Sequence, residues 1–220
     1  MKVSVETDVF ALFPDLEIFG LAVYGLNIPS LQEEAVAEFY KPDVKEGERV
    51  ASLWQEIYTK FPHDKKSRAS INYLTNASHK NTLKKIHPLV DIYNQASLLS
   101  LSPFGGEDIS LLSGALKVAL SNGNEPFLPL GKNTVENPVV GEVVYLDGNN
   151  KVVCRSMNWL ESDIHKITNN TKDVIFVSER PLLELPSSNI GMNFLLQKLA
   201  NCSTSHKSFV LNKDNSKVDF

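Results

Sequence analysis

The chain has 220 residues, of which 42% are hydrophobic and 22% charged, and its formal net charge is −4 at pH 7. This is the composition of an ordinary soluble globular protein, which buries roughly 70% of its unfolded surface, so we expect one domain spanning residues 1–220. No apolar stretch approaches the roughly 20 residues of a membrane span, and acidic residues interrupt the opening "MKVSVETDVF", which predicts a cytoplasmic chain without a membrane partner.

The first half of the chain is predicted to be mainly helical after one buried strand. Ser30 is a residue type that caps helix N-termini, and acidic residues follow it in the first turns. Val50, Leu53 and Trp54 recur at helical spacings. The expected elements are a strand at 17–26, helices at 30–40 and about 47–60, and a mostly helical segment at 68–100 that breaks near Pro88.

The second half of the chain changes to short strands. Residues 147–150 have turn chemistry between two alternating segments, which predicts a hairpin over 142–155. We expect this hairpin and a strand at 173–177 to belong to one sheet system. The other expected elements are a strand at 115–120 and a closing helix at about 188–200. The pattern predicts an α+β fold.

Several functional classes lack their motifs. The chain has no phosphate-binding glycine loop, dinucleotide fingerprint, HExxH or GxSxG sequence. Ser162, Asp163 and His165 lie close together, but capping of a short helix explains Ser162 better than a catalytic triad does. Cys154 and Cys202 form no CxxC pair, and the histidines have no metal-ligand spacing, so we expect neither a metal nor another cofactor.

A basic stretch runs from Lys60 to His87 and contains seven Lys or Arg residues but only one acidic residue, Asp64. Such a stretch attracts phosphates, although a solvated helix face is the alternative. The negative net charge argues against a general nucleic-acid binder, and we expect no DNA partner. The candidate RNA-binding residues are Lys65, Lys66, Arg68, Lys84 and Lys85.

Five short motifs occur in a fixed order between residues 90 and 179: "VDIYN", "SPFGGED", "PLG", "GEVVYLDG" and "SDIHKITNNTKDVIF". In this order they resemble the editing module of the phenylalanyl-tRNA synthetase β subunit, the B3/B4 domain. They are more similar still to its freestanding relatives, in which an arginine, an Asn-Trp pair and a Ser/Thr-rich turn recur where this chain has "RSMNWLESDIHKIT".

The resemblance implies a single B3/B4-like domain in which mixed β-sheets pack with helices. In the synthetase this module hydrolyses the ester of tyrosine wrongly attached to the phenylalanine tRNA, and it is separate from the ATP-dependent unit. The implied partner is therefore tRNA or aminoacyl-tRNA, and the chain by itself is not a complete synthetase.

The resemblance also implies a binding cleft, which this chain has altered. Gly105 stands where the synthetase has a pocket histidine, and "RSMNW" replaces a glycine-rich turn. Val177 aligns with the glutamate that receives the tyrosine hydroxyl, and Glu179 lies one strand repeat further on the same face. The candidate substrate-binding residues are Asn94, Pro103, Gly105, Glu142, Arg155, Asn158, Trp159 and Glu179, and no catalytic residue is assigned.

Two interpretations of "RSMNW" remain open. Arg155, Asn158 and Trp159 offer a ligand a planar fork, an amide and a stacking face. Alternatively, Trp159 belongs to the core and Arg155 pairs with an acid such as Glu142. Three functions follow: an aminoacyl-tRNA deacylase, a non-catalytic RNA-binding module, and a small-molecule binder or unrelated enzyme that reuses the cleft.

Overall fold

The computed structural model describes all 220 residues, which form ten strands and six helices. The strands are β1 (Lys2–Val5), β2 (Glu17–Tyr24), β3 (Gly105–Asp108), β4 (Ala115–Leu120), β5 (Val143–Asp147), β6 (Val152–Arg155), β7 (Leu160–Glu161), β8 (Val174–Arg180), β9 (Ser205–Leu211) and β10 (Lys217–Asp219). The helices are α1 (Thr7–Leu12), α2 (Ile28–Leu31), α3 (Val44–Tyr58), α4 (Ser70–His79), α5 (Pro88–Ser100) and α6 (Asn189–Leu199).

The strands divide between two sheets. The larger sheet has six strands in the order β10-β1-β4-β5-β6-β7, and the smaller has four in the order β3-β8-β2-β9. β1 and β4 run parallel, whereas the other neighbouring strands are antiparallel. Mixed sheets packed with helices confirm the predicted α+β class.

The two faces of the smaller sheet pack on different partners. Because strand side chains alternate, Ile175 and Val177 of β8 point to one face and Val174 and Phe176 to the other. The first pair joins the core shared with Tyr145 of the larger sheet, and the second joins a core with α5 and α6. Glu179 continues the first face, so the register carries its carboxyl toward the space between the sheets.

Local signals explain where the helices around that space begin and end. The Asp43 side chain accepts a hydrogen bond from the Glu46 amide at the start of α3, at 3.0 Å. Pro88 occupies the first turn of α5, where its missing N–H costs nothing. Leu101 ends α5 in the left-handed region, with φ of 50°.

Most of the predicted elements are confirmed, with boundaries shifted by a few residues. The predicted helix at 30–40 is wrong, because only the one-turn helix α2 forms, capped by Asn27, and tight turns follow it. The buried residues there, Leu31 and Val36, are five apart, which does not match a helical stripe, so packing favours tighter i to i+3 turns.

Two further expectations differ from the structure. The 142–155 hairpin and the predicted 173–177 strand lie in different sheets, because β5 pairs with β4 whereas β8 pairs with β2 and β3. The closing helix α6 is followed by two strands that the sequence did not predict. β9 is exposed along most of its length, so it lacks the alternation of buried residues that would have revealed it.

Close packing of α5 on α6 yields the first prediction. A Cβ atom at Gly191 would lie 2.6 Å from the Phe104 ring and 2.9 Å from the Ala96 carbonyl oxygen. We expect Gly191→Ala to destabilise the protein by about 1–3 kcal/mol through overpacking, although alanine favours a helix by about 1 kcal/mol. Urea unfolding measures the change. The exposed Asn193→Ala on the same helix is the control, and equal stability of the two variants would contradict the predicted overlap.

Candidate functional site

A cavity of about 730 Å³ lies between the two sheets and is closed on one side by α4, α5 and the loop that joins them. The larger sheet contributes Tyr145, Cys154 and Glu161, which the strand register places side by side on its inner face. The smaller sheet contributes residues from the facing strands β3 and β8, namely Gly105, Gly106, Glu107, Val177 and Glu179. Three carboxyl groups therefore converge on one largely apolar cavity.

Glu107 and Glu161 form a carboxyl pair across this cavity. Only 3% of Glu107 is exposed. Its pKa is raised well above the usual range, first by burial and then by the adjacent Glu161 carboxyl, to which it is hydrogen-bonded. Burial also raises the pKa of Glu161, although its hydrogen bond with Glu107 opposes that shift. Burial and mutual repulsion therefore oppose the ionisation of both carboxyls at once.

Gly105 provides the room for this pair. A Cβ atom at Gly105 would lie 3.2 Å from Oε1 of Glu161, which is a tight contact. The other oxygen of Glu161, Oε2, is shielded from solvent and has no hydrogen-bond partner. The glycine at this position thus leaves space for a carboxyl group from the opposite sheet.

Glu179 is the third carboxyl, and it connects the two sheets. The Tyr145 hydroxyl donates to its Oε1 at 2.6 Å, and the Asn158 amide donates to its Oε2 at 3.2 Å. Burial raises the pKa of Glu179 to about 7, because these hydrogen bonds compensate only part of the lost hydration. The carboxyl is therefore close to half-ionised at neutral pH.

The "RSMNW" turn positions Asn158 at the cavity wall. Ser156 and Met157 both lie in the left-handed region, with φ of 48° and 64°, which is unfavourable for residues with side chains. Asn158 accepts a hydrogen bond from the Ser70 amide at 3.1 Å through its Oδ1 atom. It thereby joins the first residue of α4 to the Glu179 carboxyl.

A buried ion pair, which does not line the cavity, stabilises this turn. Arg155 donates to Glu142 through Nε at 3.1 Å and Nη2 at 2.8 Å, and the Ser156 hydroxyl donates to the same carboxylate at 2.7 Å. Arg155 is 4% exposed and Glu142 is fully buried. The guanidinium carbon also lies 5.5 Å from the centre of the Trp159 ring.

The eight predicted substrate-binding residues therefore separate into two groups. Five line the cavity: Asn94, Gly105, Asn158, Trp159 and Glu179. Arg155 and Glu142 do not line it and instead form an ion pair with each other, as the second interpretation of Arg155 predicted. Pro103 is buried next to the cavity wall but does not line it. Trp159 is half-buried and lines the cavity.

The Asn94 side chain differs from its neighbours in the cavity wall. It is 8% exposed and makes no hydrogen bond within the protein, so its amide is available to a ligand or to water. Buried amides are normally paired, and an unpaired one that lines a cavity marks a polar contact point.

Sequence reasoning missed the carboxyl pair and Tyr145. Glu107 belongs to "SPFGGED" and Glu161 to "NWLESD". The two residues are 54 positions apart in the sequence and lie on different sheets, which bring them together in the fold. No periodic pattern marked either residue, because β3 has the sequence GGED and β7 has only two residues.

Exposed apolar and basic side chains surround the mouth of the cavity. Tyr73, Ile86 and Leu130 line it and are 56%, 74% and 48% exposed. Lys84 also lines it. The candidate RNA-binding residues Lys65, Lys66, Arg68, Lys84 and Lys85 are all exposed and make no ion pair. Lys65, Lys66 and Arg68 precede α4 in the sequence, and Lys84 and Lys85 follow it.

Comparison with known proteins gives the family. The family model of the B3/4 domain matches residues 53–181, which is more than half of the chain. The chain belongs to the B3/4 domain family. A search of curated proteins gave no match.

Among solved structures, the chain is similar to an N-terminal fragment of the phenylalanyl-tRNA synthetase β subunit from Pyrococcus horikoshii, with 12% identity and a TM-score of 0.49. The alignment covers 98% of this chain and 53% of that fragment. The chain thus spans about half the length of the fragment.

None of the helices has the length and apolar character needed to span a membrane.

The ion pair behind the turn yields a stability prediction. Arg155→Met leaves the fully buried Glu142 carboxylate without its counter-charge, and breaking such a pair costs about 3–5 kcal/mol. Because Glu142→Gln removes the unpaired charge, we expect the double variant Arg155→Met with Glu142→Gln to recover part of that loss. Urea unfolding of both variants provides the measurement. A loss below about 1 kcal/mol in the single variant would show that the pair does not hold the turn.

The acidity of Glu179 yields a pH prediction. Its folded pKa of about 7 lies above that of the unfolded chain, so its stabilising contribution is complete below the unfolded pKa. That contribution is lost as pH rises toward the folded pKa, with a total change on the order of 3 kcal/mol. We expect the free energy of unfolding of Glu179→Gln to fall less steeply between about pH 4.5 and 7 than that of the unmodified protein. An unchanged slope in this variant would mean that Glu179 ionises normally in the folded state.

Proposed function

We propose that the chain is a freestanding editing-like domain that binds tRNA in the cytoplasm and hydrolyses the ester of wrongly charged aminoacyl-tRNA. The observation that carries this proposal is a cavity that contains a carboxyl group of pKa about 7 and opens beside unpaired cations. Membership in the B3/4 domain family agrees with it. We also propose that residues 1–220 act as one domain, since both sheets contribute to the cavity.

Glu179 has the properties of a general base in such a hydrolysis. A base works best when its pKa is near the working pH, which for this carboxyl is about 7. In the proposed reaction, Glu179 takes a proton from water as the water oxygen bonds to the ester carbonyl carbon. The tetrahedral intermediate then breaks its bond to the ribose oxygen, which receives that proton from Glu179.

Asn94 and Tyr145 are the proposed polar contacts for the reacting ester. The unpaired Asn94 amide can donate to the developing oxyanion, where such donors contribute most to ester hydrolysis. The Tyr145 hydroxyl holds one oxygen of Glu179 at 2.6 Å and so fixes the orientation of the base. Neither role needs a covalent enzyme intermediate.

The mouth of the cavity is suited to the end of an RNA strand. Free lysines on both sides of α4 attract phosphates, while the exposed Tyr73 ring and the half-buried Trp159 ring offer stacking faces to a terminal base. The proposed geometry places the RNA backbone on the lysines and the esterified group inside the cavity.

A second candidate function is binding of a small molecule without RNA. The cavity volume of about 730 Å³ falls in the range of ordinary small-ligand sites. The loss of the histidine that the resembling synthetase module carries at the position of Gly105 also favours a changed chemistry. A non-catalytic RNA-binding module would use the basic residues but not Glu179.

Deacylation rates distinguish these functions. We expect purified protein to hydrolyse at least one member of a panel of correctly and incorrectly charged tRNAs, with a rate that rises with pH toward about 7. Glu179→Gln should reduce that rate by roughly 10²- to 10⁴-fold, because it removes the base. The exposed Glu48→Gln on α3 is the matched control and should keep full activity. Full activity of Glu179→Gln would remove Glu179 from the mechanism.

RNA binding is tested by charge reversal. Changing Lys65, Lys66, Lys84 and Lys85 to Glu should weaken tRNA binding, and each lost phosphate contact should lower the salt slope by about one unit. As a control with the same charge change, reversal of the exposed Lys2, Lys45, Lys213 and Lys217 should have a smaller effect. If both variants bind tRNA like the parent protein, the basic stretch is only a solvated surface.

A further inference from the structure

We infer that Ser67, on the loop that joins α3 to α4 (residues 59–69), is a positioning residue for the proposed base Glu179. The loop holds the "RSMNW" turn, and the turn presents the Asn158 amide to the Glu179 carboxyl. This inference deepens the proposed function, on which it rests for the role of Glu179 in hydrolysis. The hydrogen bonding of Glu179 itself can be measured without any substrate.

The structure of the loop is the first argument. Asp64 organises a tight turn, in which its carbonyl oxygen accepts from the Ser67 amide at 2.9 Å and its Oδ1 accepts from the Lys66 amide at 2.8 Å. Lys65 and Lys66 lie at the exposed tip of this turn, whereas Ser67 is half-buried. The Ser67 hydroxyl lies 2.9 Å from the Ser156 hydroxyl. The loop thus presents two cations to solvent and one hydroxyl to the "RSMNW" turn.

The direction of donation between these hydroxyls is fixed. A serine hydroxyl has a single proton to donate. Ser156 donates its proton to the Glu142 carboxylate at 2.7 Å, so Ser67 must be the donor to Ser156. Removing the Ser67 hydroxyl would therefore take away a hydrogen bond that no other contact of the Ser156 hydroxyl replaces.

The backbone of the "RSMNW" turn requires such support. Ser156 and Met157 are consecutive residues in the left-handed region, a conformation that persists only where the surrounding structure enforces it. The Tyr58 hydroxyl, at the end of α3, donates to the Ser156 carbonyl oxygen at 2.9 Å in a buried position. Ser67 and Tyr58 thus secure the turn from the two ends of one segment.

The Asn158 amide is the output of this arrangement. Its Oδ1 atom accepts from the Ser70 backbone N–H at 3.1 Å, and a backbone N–H can only donate, so the amide has one orientation. In that orientation Nδ2 faces Glu179 and donates to Oε2 at 3.2 Å. Both ends of the amide are occupied within the protein, so Asn158 acts on the carboxyl rather than on the ligand.

Other titratable groups face Glu179 and must be separated from it. They are Tyr58 from α3, Tyr145 from β5, Cys154 from β6 and Glu161 from β7. Burial raises the pKa of Tyr58, Tyr145 and Cys154 well above their usual ranges, so they stay neutral near pH 7. Glu161, which is hydrogen-bonded to Glu107, is the remaining group, and its titration is identified with Glu161→Gln.

Carbon-13 NMR titration of the Glu179 carboxyl tests the inference, with Glu179→Gln to assign its resonance. The hydrogen bond from Asn158 favours the ionised carboxyl. We therefore expect Asn158→Leu to lower the acid dissociation constant of Glu179 by about three- to tenfold. Ser67→Ala should lower it by at least about twofold, because the turn that carries Asn158 loses its support.

Three further variants make this test specific. Ser67→Thr keeps the hydroxyl and should restore the acid dissociation constant of the unmodified protein. Tyr58→Phe removes only the hydroxyl that Ser156 accepts, and it should change the constant in the same direction as Ser67→Ala. Ser52→Ala is the matched control, because the Ser52 hydroxyl is exposed on α3 and bonds only to the Glu48 carbonyl oxygen.

Kinetics separate positioning from RNA binding on the same loop. In deacylation of a charged tRNA, Ser67→Ala should lower kcat with less than a twofold change in KM, and the rise of rate with pH should move to higher pH. Charge reversal of Lys65 and Lys66 should instead mainly raise KM. A defect that only reduced the amount of folded protein would leave the pH profile unchanged.

Two results would overturn the inference: an acid dissociation constant of Glu179 that is unchanged in both Ser67→Ala and Tyr58→Phe, or a change in Ser67→Ala that Ser67→Thr retains in full. The outcome is separable from that of the proposed function. Hydrolysis of charged tRNAs with an unchanged Glu179 titration contradicts only the positioning role. The expected change in titration without hydrolysis of any charged tRNA contradicts only the deacylase.

Discussion

The buried ion pair between Arg155 and Glu142 is the constraint on which the cavity depends. It fixes a turn that contains two consecutive residues in the left-handed region, and that turn delivers Asn158 to Glu179. A buried pair contributes little net stability relative to apolar residues of the same size. Its value here lies in geometry, because the pair holds an unfavourable backbone conformation that brings an amide and a carboxyl together.

The chemistry of the cavity follows from burial of acids without matching bases. Burial removes water from Glu107, Glu161 and Glu179, and hydrogen bonds from hydroxyl and amide groups compensate only part of the lost hydration. Their acidity is therefore reduced, and one carboxyl reaches the range useful for proton transfer near neutral pH. The same lack of compensation destabilises the folded state as pH rises.

The sequence predicted local elements better than their assembly. Alternation and turn residues were sufficient for the 142–155 hairpin, and apolar spacing was sufficient for α3, because both signals lie within neighbouring residues. The separation of this hairpin from β8 depends on strand pairing between distant residues. Part of the site could also be predicted, because the resemblance located Asn94, Asn158 and Glu179. Glu161 could not be predicted, because it lies on a two-residue strand that has no periodic pattern.

Gly105 has a consequence for how this cavity tolerates substitution. Any side chain at this position would begin 3.2 Å from Oε1 of Glu161, so the carboxyl would have to shift by a few tenths of an ångström to admit it. The residues that position 105 accepts are therefore coupled to the residue at position 161, and a smaller side chain at 161 would relax the demand for glycine at 105.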